Sequence, residues 1–175
     1  MLKWSAGSTP GWFLLSHSID MGCWLKQGVQ PTKVFAVGTK KKLVQKGIDT
    51  YDSIQATVSF EDNTHATFTT SWILPESMPM IYDFKYEIIG EEGSYNIDLS
   101  DQMVHHAGNR YEHVHTLGTP VNDAVTYAPG YMLNAFIDNI RLDTEPIAGP
   151  QDGLLNTKLV HLIHKSIETG EVQEL

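Results

Sequence analysis

The chain has 175 residues, 41% hydrophobic and 10% aromatic, enough for one domain with a sizeable core and too apolar for a disordered polypeptide. Its 21 acidic residues against 12 basic ones leave a formal net charge of −9, which argues against nucleic acid or an anionic membrane as partner. No apolar run approaches the ~20 residues of a membrane span, no signal-peptide pattern is evident, and Cys23 is the only cysteine, so no disulfide framework forms and a reducing, cytoplasmic setting is expected.

Met1 to Gly11 form a lead-in. Thr9 is the expected N-cap and Pro10 suits the first position of a helix over Trp12 to Gly28 (WFLLSHSIDMGCWLKQG), which Gly28 closes and Pro31 stops. With about 3.6 residues per turn, Phe13, His17, Asp20 and Trp24 fall in one stripe, and apolar residues on both flanks predict a helix buried nearly all round. Burial of His17 and Asp20 without partners would be costly, and they sit one turn apart. The expectation is that they pair, with Asp20 orienting the imidazole and fixing its tautomer. Cys23, between Gly22 and Trp24, reads as core filler rather than a nucleophile.

From Thr32 the hydrophobic period changes to two. Thr32 to Lys41, Thr50 to Phe60 and His65 to Leu74 read as strands, the last two joined by a turn at Glu61-Asp62-Asn63-Thr64. Lys40-Lys41-Lys42 is a solvated strand end. Pro75 and Pro79 bracket a loop before strands at Ile81 to Ile89 and Ser94 to Leu99, with Gly90 to Gly93 turning between them. A last hairpin pairs Gln102 to Ala107 with Arg110 to Leu117 around Gly108-Asn109. Helical spacing returns over Gly130 to Leu142 and Gly153 to Thr169; Gly170 is a C-cap, and Glu171 to Leu175 add a short closing strand. The predicted class is α+β, an open, largely antiparallel β-sheet with helices packed on one face, forming a single domain over residues 1–175.

The histidines of the last hairpin form a second constellation. With a two-residue turn at Gly108-Asn109, His106, Tyr111, His113 and His115 share one face; a slip of one residue replaces His106 by His105. Such a face suits zinc, an exposed polar surface or a subunit interface, and Glu112 falls on the opposite side. His161 and His164 read as boundary residues of the last helix, and Asp138 and Asn139 as helix-surface polar residues. Trp4 and Trp72 suit either packing or the stacking wall of a sugar site. No G-x-G-x-x-G follows a strand and no G-x-x-x-x-G-K-[ST] occurs, so a redox cofactor would have to be held by something else.

Many weak motifs nevertheless follow one another in a recognisable order. S-H-x-x-D and W-L-x-x-G lie on the first helix, then P-x-K-V-x-A, a Y-D strand, E-D-N-x-H-A, S-W, Y-E-I-I-G-E-E-G-S, F-I-D-N-I and a final D-G-L-L…I-x-K-S-I-E-T-G-E-V. Over roughly Pro10 to Leu175 the chain resembles the C-terminal domain of the glucose–fructose oxidoreductase, inositol dehydrogenase and rhizopine-catabolism (Gfo/Idh/MocA) oxidoreductases. The resemblance implies a fragment of a longer enzyme whose N-terminal Rossmann domain binds NAD or NADP and carries a Glu-Lys-Pro motif. On this reading the chain alone binds no cofactor and is inactive.

In that family the first helix presents an Asp and, four residues later, a His to the substrate. His17 matches the His and Asp20 follows three residues on, but Phe13 stands where the Asp is expected. A ring there removes a polar partner and either stacks on a sugar face or fills space. A related subset carries Trp-Phe-x-x-Ser-His, as in Trp12 to His17. The resemblance thus implies catalytic His17 and Asp20, with Trp12 and Phe13 lining the site of a sugar, polyol or related hydroxy compound. It also implies a homo-oligomer formed through the sheet face. The rival readings are a non-catalytic dimerisation or ligand-binding module and a metal-binding His-rich hairpin.

Overall fold

A computed structural model of the protein describes residues 3–114 and 128–175, and its class is α+β, with antiparallel sheets and four helices. The residues fall into two compact units, Met1–Ile73 with Ile147–Leu175, and Leu74–Pro146. No helix among the described residues is long and apolar enough to cross a membrane.

In the first unit a 3-10 turn (Lys3–Gly7) and a π-helical turn (Gly11–Leu15) lead into α1 (Ser16–Leu25). There follow β1 (Pro31–Thr39), a short α2 (Lys42–Gln45), β2 (Ser53–Phe60) and β3 (His65–Ser71). The second unit holds β4 (Lys85–Ile89), β5 (Ser94–Asp98), β6 (His105–Ala107), β7 (Tyr111–His113) and α3 (Ala128–Leu142). The chain returns to the first unit with α4 (Pro150–Thr169) and β8 (Gln173–Glu174). The far end of the strand expected to reach Leu117, including His115, lies outside the described residues.

The first unit's sheet has the order β3-β2-β1-β8, every pair antiparallel, with Ala36 opposite Ala56 and Ala56 opposite Phe68. Side chains alternate across a strand, so one face collects Val34, Ala36, Ile54, Ala56, Val58, Phe60 and Phe68. That face packs on Leu15 and Ile19 of the first helical segment and on Leu159, Val160 and Ile163 of α4. Phe35 and Val37 lie on the other face and stay exposed. Each fully buried Leu, Ile or Val in this layer contributes roughly 1.5–3 kcal/mol.

Because β8 covers only Lys33 and Val34, the edge of β1 runs on beyond it. Ser166, wholly buried on α4, closes that gap: its hydroxyl accepts the Ala36 N–H at 3.0 Å and donates to the Glu171 carbonyl at 2.7 Å. At the start of α4 the Gly149 N–H donates to the Asp152 carboxylate at 2.7 Å and Pro150 occupies the first turn. Gly170 ends it at φ 72°, as its position in the sequence predicts.

The second structured link, α2, is absent from the sequence reading. Buried Asp52 nucleates it by accepting the backbone N–H groups of Lys41, Lys42 and Leu43 at 2.8, 2.6 and 2.8 Å. The same residue's carbonyl accepts the Trp72 N–H at 2.9 Å and the Ser71 hydroxyl at 3.2 Å. Asp52 therefore ties β1, α2, β2 and the end of β3 together.

In the second unit β4 and β5 form a hairpin with Tyr86 opposite Ile97, closed by the Gly90 N–H donating to the Gly93 carbonyl at 2.8 Å. The end of α3 is held by the Asn139 side-chain amide, which donates to the carbonyls of Thr144 and Glu145.

Candidate functional site

The first helical segment begins as the sequence predicts. Thr9 Oγ1 accepts the Trp12 N–H at 3.2 Å, an N-cap bond that satisfies one of the free donors of the first turn. Its hydroxyl also lies 2.6 Å from His164 Nε2 on α4. His164 Nδ1 is 2.7 Å from the Val160 carbonyl, which can only accept, so Nδ1 carries the proton and Nε2 accepts from Thr9. The Trp12 indole lies flat on this imidazole, 5.4 Å between centroids and 13° between planes.

This anchor brings the backbone of Gly11 against the ring. A Cβ at Gly11 would stand 2.6 Å from His164 Cε1. The imidazole cannot retreat without giving up two hydrogen bonds and the stack. Gly11→Ala is therefore expected to destabilise the protein by about 1–3 kcal/mol, the usual range for overpacking. Urea unfolding checks this, with Gly7→Ala as the control, because nothing lies within 4 Å of a Cβ there.

The π-turn at Gly11–Leu15 widens the helix at its start, and of the stripe drawn from Phe13 to Trp24 the residues Phe13, His17 and Trp24 are exposed and Asp20 is half-buried. The buried side is narrower: Gly11, Leu15 and Ile19 face inward, and Gly22 approaches Phe68, whose ring would stand 3.0 Å from an added Cβ. Trp12, Phe13, Met21, Trp24 and Leu25 are exposed, correcting the expectation of a helix buried all round.

His17 is exposed on the first turn of α1. Among the described residues no hydrogen bond or ion pair joins it to Asp20, which is half-buried. Asp20 turns instead to a cavity of about 190 Å³ beside α4, together with Cys23, Trp24, Asp152 and Asn156. Asn156 donates its amide N–H to the Ser16 carbonyl at 2.8 Å, while its enclosed Oδ1 has no partner. Burial, reinforced by the charges of Asp20 and Asp152, pushes the Cys23 thiol up to about 11. At neutral pH it is a protonated, inert thiol.

Phe13 and Trp12 diverge despite being neighbours. Phe13, 52% exposed, meets Trp4 at 5.4 Å and Trp72 at 6.0 Å, and the two indoles meet edge-on at 6.2 Å. Trp12 belongs to the His164 stack and keeps its outer face exposed. The structure thus assembles an aromatic platform of Trp4, Phe13 and Trp72 near the N-terminal end of α1. The sequence offers Trp4 and Trp72 together as a stacking wall or as packing but gives no signal that joins Phe13 to them, since that partnership depends on where Asp52 fixes the end of β3.

The histidine hairpin takes a three-residue loop, Gly108 to Arg110, and not a two-residue turn. The pairs are His105 with His113, His106 with Glu112 and Ala107 with Tyr111. The register carrying His105 is therefore the one realised, and His106 lies on the other face beside Glu112, 3.5 Å away. His115 lies outside the described residues.

The model of the GFO/IDH/MocA C-terminal domain matches residues 1–96, the stretch that carries α1, the first sheet's consecutive strands β1 to β3, β4 and the start of β5. The chain belongs to this family. Among curated proteins none matches the chain. Among solved structures, myo-inositol 2-dehydrogenase from Lactobacillus plantarum shares the fold with 15% identity and a TM-score of 0.73, over 99% of this chain and 51% of that one. Scyllo-inositol dehydrogenase from Lactobacillus casei, solved with bound NAD(H) and scyllo-inositol, has 18% identity and a TM-score of 0.70, over 98% and 51%. Aldose–aldose oxidoreductase from Caulobacter crescentus, complexed with glycerol, has 20% identity and a TM-score of 0.66, over 91% and 45%. This GFO/IDH/MocA C-terminal domain spans about half the length of the solved structures it matches.

Proposed function

We propose that this chain is the substrate-binding and oligomerising domain of an NAD(P)-dependent oxidoreductase that acts on a sugar, polyol or related hydroxy compound. The observation that carries the reading is the exposed imidazole of His17 on the first turn of α1, in a family member whose fold is shared by inositol dehydrogenases.

Oxidation of a secondary alcohol requires its O–H proton to leave as hydride leaves the carbon. An imidazole suits the first task because it changes charge near neutral pH. In this reading His17 accepts the hydroxyl proton. Phe13, with Trp4 and Trp72, offers ring faces to the apolar C–H face of a sugar or polyol, and the free face of Trp12 extends the wall. Asp20, which lines the cavity beside α4, enters as an acceptor for ligand hydroxyls.

NAD or NADP, when bound, supplies the hydride acceptor. The residues of this chain do not fit a dinucleotide: every strand pair among the described residues is antiparallel, which leaves no βαβ unit, and no glycine-rich phosphate turn occurs in the sequence. The nucleotide is therefore assigned to a domain outside these 175 residues, working in a cytoplasmic protein. A second copy of the chain covers the open sheet face that presents Phe35 and Val37. The reading is tested by following NADH formation with a polyol panel that includes myo-inositol. A protein joining this chain to a nucleotide-binding domain is expected to turn over, and the chain alone is expected neither to turn over nor to bind NADH saturably. Tight NADH binding by the chain alone would overturn it.

The non-catalytic reading draws on Phe13 standing where the family places an Asp. It predicts polyol binding without turnover in the same experiment.

A further inference from the structure

The realised register of the β6–β7 hairpin brings together groups that the sequence keeps apart. His105 and His113 are directly opposite in the ladder, their rings stacked at 4.7 Å. Asp101 reaches the same face from the preceding loop, with its Oδ1 2.9 Å from His105 Nε2. One ligand atom from each of Asp101, His105 and His113 can be chosen so that all three lie within 4.8 Å of one another. None of this depends on α1 or on the oxidoreductase reading.

Two details set the hairpin apart from a chance meeting of exposed side chains. His113 Nδ1 lies 2.9 Å from the Ser100 carbonyl, an obligate acceptor. That bond places the imidazole proton on Nδ1 and leaves Nε2 with a free lone pair, the arrangement by which a backbone carbonyl orients a metal-binding histidine. Asp101 is held as well: its Oδ1 accepts the Met103 N–H at 2.8 Å. His106, by contrast, faces away and is engaged with Glu112, which also accepts from Arg110 Nε at 2.6 Å.

We propose that Asp101, His105 and His113 bind a divalent transition-metal cation, with zinc the best match to two imidazoles and one carboxylate. Both donor types are ordinary zinc ligands, and three protein donors leave a fourth position for water. Binding places the cation between His105 Nε2 and Asp101 Oδ1, with the His105 imidazole proton carried on Nδ1. The cation would fasten the 100–103 loop to the hairpin.

The test is calorimetric titration of the chelator-treated full chain with Zn²⁺ in a non-coordinating buffer, with Co²⁺ absorption as an independent readout of coordination. One equivalent is expected to bind, with a tetrahedral Co²⁺ spectrum. His105→Ala and His113→Ala should each weaken it by at least about 100-fold, the upper end of what losing an outer-shell partner alone costs. His106→Ala should bind as the wild type does, and far-UV circular dichroism verifies that each variant is folded. Should either substitution unfold the chain, Asp101→Asn supplies the same comparison from the loop. No saturable equivalent in the wild type, or an equivalent unaffected by His105→Ala and His113→Ala, overturns the proposal. Equal weakening by His106→Ala overturns it too, because that outcome means non-specific capture by a histidine-rich surface.

Discussion

In an enzyme that contains this chain, His17→Ala is expected to lower kcat by about 10²–10⁴-fold, the contribution of a positioned general base. The loss should fall on kcat and kcat/KM together while KM moves little, since the imidazole acts on the proton in flight rather than on ground-state binding. Phe13→Ala should behave differently, raising KM more than it lowers kcat, because a ring face contributes to binding. A His17→Ala variant with wild-type kcat would remove the catalytic assignment and leave only the domain's architecture.

Asp52→Ala should have the largest effect on stability, about 3–4 kcal/mol by urea or thermal unfolding. Asp52 is 1% exposed and accepts three backbone N–H groups, which truncation would leave unsatisfied in a buried position. Each bond to a charged acceptor is worth about 1.5–3 kcal/mol, and the contributions are not additive. The pH dependence has a definite sign. Burial pushes the Asp52 carboxyl up, but the N–H groups of Leu43, Lys42 and Lys41 together outweigh it and hold the carboxyl below its ordinary 3.8. A depressed carboxyl stabilises the fold fully above the unfolded value and loses that contribution as pH falls through the lower folded value. The gap between wild type and Asp52→Ala should therefore be constant near neutrality and narrow below about pH 3.8.

These two residues show where sequence reading reaches and where it stops. Alternation of Ile54, Ala56, Val58 and Phe60 with polar neighbours is a local signal, and it places β2 and its buried face correctly. Thr9 and Gly170 likewise act as the caps their chemistry suggests. The departures arise where a distant group decides. The π-turn forms where Gly11 packs against His164, 153 residues away in the chain, and the side that faces out there carries Trp12 and Phe13. Short α2 depends on the Asp52 carboxylate arriving from the next strand, and the basic run at Lys40 to Lys42 gives no hint of it. The hairpin register turned on one extra loop residue, Arg110, and that exchange of His106 for His105 decides which imidazoles meet Asp101. The expected pairing of His17 with Asp20 rests on full burial of the first helix. Once the first helix leaves Trp12, Phe13 and Trp24 exposed, solvent satisfies the imidazole and the pair loses its motive.

Substrate is proposed to meet this chain at the first turn of α1. A crystal structure of the nucleotide-bound protein containing this chain, soaked with a polyol such as myo-inositol, tests it most directly. A polyol hydroxyl within about 2.6–3.2 Å of a His17 ring nitrogen, with the ligand's C–H face toward Phe13, is the predicted result. A polyol bound elsewhere, with His17 left facing solvent, would contradict it.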